Sequence, residues 1–126
     1  MTKRKLTVRT GTAEDFFALA KDAARRLDSG ERMQGAVTLV FEDPGRMFAV
    51  LSAERRRLMR ALLRSPQSVA QLTHALKRDR AAVAKDVRML EVAGLVVTQR
   101  ATNPGHGVRT LVAPIAPNIE LVATLA

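Results

Sequence analysis

Several residue types that support particular kinds of chemistry are missing from this chain of 126 residues. It contains no cysteine, which excludes disulfides, a thiol nucleophile and thiolate metal ligands. It also lacks tryptophan and tyrosine, and the neighbours of Phe16, Phe17, Phe41 and Phe48 assign all four to core packing. Binders of single-stranded RNA usually stack bases on aromatic side chains interleaved with basic residues. The sequence lacks such a platform.

The chain also lacks any apolar run long enough for a signal peptide or a membrane span. We therefore expect a soluble, cytoplasmic protein with no membrane partner. Its histidines, His74 and His106, lie far apart and have no third ligand nearby, so we expect no metal site and no cofactor. Paired carboxylates, a glycine-rich phosphate loop and a nucleophile with its base are all missing, so we expect no enzyme activity.

Positive charge is present in excess, and it is confined to one segment. Between Arg55 and Arg109 there are twelve Lys and Arg residues against three acidic ones, whereas the rest of the chain has nine of each. A local excess of this kind is typical of a surface that binds a polyanion. The alternative is a solvated basic surface without a partner.

The N-terminal part is predicted to contain a strand, a helix and a second strand. Alternation from Lys5 to Arg9, with Leu6 and Val8 as the apolar positions, indicates the first strand. Thr12 can cap a helix with one apolar face that ends near Ser29 and Gly30. The β-branched and apolar run Ala36–Phe41 predicts the second strand.

Cap residues then predict four helices in succession. Asp43 with Pro44 opens a short helix, Ser52 caps a second, Ser68 starts a third and Asp79 caps the fourth. The stop signals are Ser65, Pro66 and Gly94. The apolar positions expected to be buried are Leu58, Met59, Leu62 and Leu63 in the second helix, Val69, Leu72 and Leu76 in the third, and Val83, Val87 and Leu90 in the fourth.

A hairpin follows these helices. A strand begins at Leu95–Val97, the segment from Asn103 to Gly107 is rich in turn residues, and Val108–Ala113 can pair back. Ile119–Leu125 predicts a last strand after Pro114 and Pro117. The fold class is therefore α+β: a winged helix-turn-helix over 44–113, an N-terminal strand-helix-strand extension over 1–43 that we expect to mediate dimerisation, and a C-terminal strand over 114–126.

This fold suggests which side chains meet nucleic acid. The fourth helix buries one face, and its opposite face can enter a major groove about 12 Å wide. The hairpin brings Arg100 and Arg109 near phosphates or the minor groove, where we expect them to act as a two-pronged clamp on a tip that becomes ordered on DNA; a solvated hairpin is the alternative. The predicted DNA-binding residues are Ser68, Arg78, Arg80, Ala81, Ala82, Lys85, Arg88, Arg100, His106 and Arg109.

The segment from Leu72 to Val96 has the spacing L-x-x-x-L-K-R-D-x-x-x-V-x-x-D-V-x-x-L-E-x-x-G-L-V. It resembles small MarR-like winged-helix proteins of bacteria and archaea, usually described as predicted transcriptional regulators, some similar to antitoxin-type repressors. The motifs F-E-D-P at Phe41 and V-A-P at Val112 extend the resemblance over about 41–125. The chain departs from that family at Lys77, where glycine is usual, so we expect a slightly remodelled turn.

Asp86 lies on the predicted reading helix, where a carboxylate facing phosphate would be repelled. We expect it to pair with Arg57 or Arg60, or to cap a neighbouring helix. At the front of the same helix, Ala81 and Ala82 allow close approach and contact with a thymine methyl group, but they read few base edges.

The function that these observations favour is a homodimeric, sequence-specific regulator that binds double-stranded DNA. The resemblance implies a repressor or an antitoxin-type autoregulator, with a cognate toxin as a further partner. Two alternatives stay open: a winged-helix module for protein interaction within a larger complex, and a binder of structured RNA.

Overall fold

The computed structural model describes residues 5–9, 21, 24–26, 29, 36–103, 105 and 107–125. Within them, four helices of the central region lie between the strands of two sheets, and each sheet has three strands. The α+β class predicted from the sequence is confirmed.

The first sheet joins the two ends of the chain. Its strands are β1 (Lys5–Arg9), β2 (Ala36–Phe41) and β6 (Asn118–Ala123), in the order β1-β2-β6 and all parallel. The predicted strand in the N-terminal part and the one at the C-terminus are therefore neighbours of the same strand, β2. We predicted that the last strand would reach Leu125, but it ends at Ala123.

Parallel strands need a long crossover, and the sequence predicts a helix between β1 and β2. Residues 21, 24–26 and 29 are helical, in agreement with that prediction. The proposed cap Thr12, the predicted core residues Phe16 and Phe17, and Gly30 lie outside the described residues.

Two capped helices follow β2. Asp43 caps α1 (Pro44–Val50), since its Oδ1 accepts the backbone N–H of Arg46 at 2.8 Å. Ser52 caps α2 (Ala53–Arg64) by accepting the backbone N–H of Arg55 at 3.3 Å. Both predicted caps are confirmed.

The next two helices are α3 (Val69–Leu76) and α4 (Arg80–Val92). Ser68 and Gln71 form a reciprocal capping box at the start of α3. Asp79 occupies the N-cap position of α4, but its side chain makes no capping hydrogen bond, so that part of the prediction is wrong. After α4 the chain reverses at Gly94, whose φ of 82° favours glycine.

The second sheet is antiparallel and has the order β3-β5-β4. β4 (Val96–Asn103) and β5 (Gly107–Pro114) form the predicted hairpin. β3 consists of Gln67 and Ser68 and pairs with β5. Sequence patterning missed β3 because two residues are too few to show a period.

The core lies between the helices and both sheets. Burying a Val or Leu side chain stabilises the folded state by about 1.5–3 kcal/mol, so the apolar faces of α2, α3 and α4 provide much of the driving force. Leu63, which we expected to be buried, is 39% exposed at the side of α2. The predicted helix positions found buried are Leu58, Met59, Leu62, Val69, Leu72, Leu76, Val83, Val87 and Leu90.

The phenylalanines do not share one environment. Phe41 of β2 is buried, as predicted, but Phe48 of α1 is 56% exposed, so its assignment to the core is wrong. The guanidinium carbon of Arg56 lies 5.8 Å from the centre of the Phe48 ring, a cation–π contact at the surface.

Over the described parts of the chain, no helix combines the length and the apolar character needed to cross a membrane. The same residues contain no group of three or more His, Asp or Glu side chains placed to hold a metal ion.

Candidate nucleic-acid interface

Helix α4 has one buried face and one cationic face. Val83, Val87 and Leu90 are buried, as predicted. Arg80, Lys85 and Arg88 are exposed on the other side, together with Ala81, while Ala82 is partly covered. None of the three cations forms an ion pair with another described residue. Their charge is therefore available to a ligand.

The turn before α4 sets the direction of that helix. Lys77 has φ 52° and ψ 48°, the left-handed conformation. Its backbone N–H and that of Arg78 donate to carbonyls of His74 and Thr73, each at 3.3 Å. The turn therefore keeps the geometry that glycine usually adopts, and our expectation of a remodelled turn is wrong. The strain at a non-glycine residue here costs on the order of 1 kcal/mol.

A network of charged side chains attaches α4 to α2 and to the turn. Asp86 is buried, and its Oδ2 lies 2.6 Å from Nη1 of Arg78. Its Oδ1 lies 3.7 Å from Nη1 of Arg55 on α2. Nε of Arg78 lies 3.5 Å from Oε2 of Glu54. The hydrogen bond that the Arg78 guanidinium donates to Asp86 raises the pKa of Arg78, so this guanidinium stays charged.

The predicted partners of Asp86 were therefore wrong. Arg57 pairs weakly with Glu54 at 3.7 Å, and Arg60 makes no ion pair within the described residues. Arg55 points to the core side of α2, where Nε donates to the carbonyl of Val50 at 2.8 Å. Sequence spacing does not reveal this pairing, because Arg55 and Asp86 are brought together only by helix packing.

Two of the predicted DNA-binding residues, Ser68 and Arg78, make contacts that stabilise the fold. Ser68 is buried and its hydroxyl accepts the backbone N–H of Gln71 at 3.1 Å. The Arg78 guanidinium is shared between Asp86 and Glu54. Their contacts hold α2, α3, α4 and the turn together. In contrast, Lys77 is an exposed cation directly before α4 that we did not include among the DNA-binding residues.

The hairpin carries two exposed arginines, but they face opposite ways. Arg100 pairs with Thr110 and Arg109 pairs with Ala101. Directly opposed residues of an antiparallel ladder share a face, and successive residues alternate. Arg100 and Arg109 therefore lie on opposite faces, and the prediction that they form one two-pronged clamp is wrong. Pro104 and His106, at the tip, lie outside the described residues.

The face that carries Arg100 is the one toward α4. Thr98 lies two residues earlier on the same face of β4, and its hydroxyl donates to Oε2 of Glu91 on α4. Arg100 is thus nearer than Arg109 to the side of the hairpin that meets α4. Arg80, Lys85, Arg88 and Arg100 together define what we call the α4 cation group.

A second row of cations lies on α2. Arg57, Arg60 and Arg64 follow at helical spacing, on the face opposite the buried Leu58 and Leu62. Arg55, on the core side of α2, contacts α4, so this α2 arginine row points away from α4. It is equal in charge to the three cations of α4 but differently placed.

Comparison with known proteins gives a family for the region that carries these features. The model of the HVO_A0114 family matches residues 50–112, which is half of the chain. The chain belongs to the HVO_A0114 family. The HVO_A0114 region contains α2, α3, α4 and the hairpin as far as Val112, whereas β1, β2 and β6 lie outside it. Every predicted DNA-binding residue falls within this region.

No curated protein matches the chain. Among solved structures, it is similar to a "possible transcriptional regulator" from Methanosarcina mazei Go1, with 16% identity and a TM-score of 0.44. The match covers 54% of this chain and spans 64% of the length of that protein.

Proposed function

We propose that the protein is a homodimeric transcriptional regulator that binds double-stranded DNA and has no enzyme activity. In this proposal α2, α3 and α4 with the β4–β5 hairpin act as a winged helix-turn-helix, and α4 is the reading helix. The order of elements, with a short β3 that pairs with β5, supports this assignment. The resemblance to MarR-like proteins motivates a repressor or antitoxin-type role, with a cognate toxin as a further partner.

The main support for the proposal is the difference between cations of the basic segment that have an anionic partner and cations that have none. Arg55 and Arg78 are engaged by Asp86 inside the helix-turn-helix. Arg80, Lys85 and Arg88 have no anionic partner among the described residues and lie on one exposed helix face. An unpaired cationic face on the helix after the turn has the charge that a DNA groove requires.

The dimensions of α4 are compatible with the groove. Its thirteen residues correspond to a length of roughly 20 Å at 1.5 Å per residue, and an α-helix with its side chains is about 10–12 Å in diameter, which fits a major groove about 12 Å wide. Arg80, Ala81 and Ala82 are at its N-terminal end, from which helix-turn-helix proteins usually contact base edges. Lys85 and Arg88 follow at the spacing of one exposed face and can contact bases or phosphates.

The experiment compares two triple variants that lose the same charge. One replaces Arg80, Lys85 and Arg88 by Gln, and the control replaces Arg57, Arg60 and Arg64 of the α2 arginine row by Gln. Affinity for a pool of duplex DNA is measured by fluorescence anisotropy at low salt, and folding is checked by circular dichroism. We expect the α4 variant to lose at least about tenfold more affinity than the control, since one base-edge contact alone contributes about 1–3 kcal/mol.

Equal losses in the two variants would contradict the proposal, because binding would then follow net charge alone. Competition by duplex RNA as strong as by duplex DNA would favour the structured-RNA alternative. Wild-type protein that binds neither nucleic acid would favour the protein-interaction alternative.

A further inference from the structure

Among the described strands, β6 lies at an edge of the parallel sheet. It is hydrogen-bonded to β2 on one side, and no described strand pairs with its other side. Exposed edges present unpaired N–H and C=O groups, and monomeric proteins usually protect them with lysine, proline or a bulge. Within Asn118–Ala123 the one charged residue is Glu120, and there is no lysine or proline. This edge is therefore suited to pairing with another strand.

The apolar layer of the same sheet also stops at β6. Leu39 pairs in register with Leu121, and parallel partners share a face. Leu39 is fully buried, whereas Leu121 is 36% exposed. On either side of Leu121, Ile119 and Ala123 pack against the core. One more strand beside β6 would cover Leu121 and continue this layer.

We propose that the missing strand is β6 of a second copy, so that two chains form one continuous six-stranded sheet. A two-fold axis perpendicular to the sheet makes the two β6 strands antiparallel, and each then satisfies the open edge of the other. The partner is a second copy because the inference rests on the proposed function: one reading helix contacts few base pairs, and two related by a two-fold axis can read a palindromic site.

Charge and side-chain direction select the register of this pairing. In this arrangement, two residues that pair across the axis have their side chains on the same side of the sheet. The two registers that pair the most residues of β6 therefore have the axis at Glu120 or at Leu121. The first places the two Glu120 carboxylates directly opposite each other, which is destabilising. The second places Leu121 opposite its equivalent and Ile119 opposite Ala123 on one face, and Glu120 opposite Val122 on the other face, so no two carboxylates stand directly opposite each other. We infer the register centred on Leu121.

The absence of cysteine allows a direct test by disulfide cross-linking. In the inferred register the two residues at position 121 have Cα atoms about 4.5–5.5 Å apart, within the range of about 4.4–6.8 Å that a disulfide accepts. The full-length L121C variant should become mostly a covalent dimer under mild oxidation. The matched control N118C places its thiols roughly 20 Å apart at 3.3 Å per residue and should stay uncross-linked.

Two further measurements keep each outcome decisive. Faster cross-linking of E120C than of L121C would overturn the register. Sedimentation of the unmodified protein should show a dimer in the micromolar range; a monomer throughout that range would overturn the interface even if L121C failed to fold. The cross-link needs no DNA, so a cross-linked dimer that binds no DNA would contradict the proposed function alone. DNA binding by a protein that does not cross-link would contradict this interface alone.

Discussion

At the scale of single residues, Asp86 decides how α4, the proposed reading helix, is held. It lies on α4 between Arg55 of α2 and Arg78 of the turn, and it is nearly inaccessible to solvent. A buried carboxylate is costly unless it is paired, and here two guanidinium groups share it. The arrangement joins α2, the turn after α3 and α4 through one side chain, so the position of α4 depends on it.

We therefore expect D86N to destabilise the protein strongly. The variant removes the charge and leaves two partly buried arginines without their shared anion, and we expect the free energy of unfolding to fall by about 2–3 kcal/mol. Urea denaturation measures this. The control E54Q removes a half-exposed carboxylate of the same network, and its cost should stay below about 1 kcal/mol. Similar small losses in both variants would show that the network contributes little.

At the scale of elements, the β4–β5 hairpin separates the roles of its two arginines. The regular register from Val96↔Pro114 to Asn103↔Gly107 leaves no bulge that could turn Arg100 and Arg109 to one side. Arg100 shares its face with Thr98, which contacts α4, and Arg109 occupies the other face. The hairpin therefore contributes one arginine, Arg100, to the α4 cation group.

The two arginines should contribute unequally to DNA binding. We expect R100Q to weaken affinity for duplex DNA severalfold and R109Q to weaken it less, because Arg100 lies on the side of α4. Anisotropy titrations of both single variants measure the difference, and each variant loses one charge, so each is the control for the other. Equal losses would mean that DNA contacts both faces of the hairpin, contrary to this assignment.

At the scale of the whole molecule, charge is divided between the two sheets. The segment from Arg55 to Arg109 holds the excess of cations, while the remaining segments, which contain β1, β2 and β6, are balanced. The proposed DNA binding and the proposed dimerisation therefore fall in separate parts of the protein: a cationic part around the antiparallel sheet and a part balanced in charge around the parallel sheet. The balanced charge of this second part favours self-association, since its net charge adds little repulsion between copies.

Duplex DNA binding should accordingly depend steeply on salt. Each phosphate neutralised contributes a slope of about 0.9 in the logarithm of affinity against the logarithm of salt, so three cations of α4 predict a slope near −2.7. Titrations at several salt concentrations measure it. The triple α4 variant should lose most of this slope, and the α2 arginine row control should keep it. A flat response of the wild-type protein would remove the electrostatic basis of the proposal.

Local chemistry was enough to predict most of the helices and strands. The caps Asp43, Ser52 and Ser68 act through hydrogen bonds to backbone groups three residues away, and the apolar stripe of α4 follows from helical period. Charge counting located the basic segment, and the outward positions of Arg80, Lys85 and Arg88 followed from the buried ones. These features depend on neighbours in the chain, so the sequence alone determined them.

Tertiary structure decided the contacts between residues far apart in the chain. The pairing of Asp86 with Arg55 depends on how α2 packs on α4, and the opposite faces of Arg100 and Arg109 depend on the hairpin register. The placement of β6 beside β2 joins segments about eighty residues apart. No periodic pattern in the sequence specifies such long-range contacts. They result from the burial of apolar faces, and many other pairings of the same elements could also bury those faces.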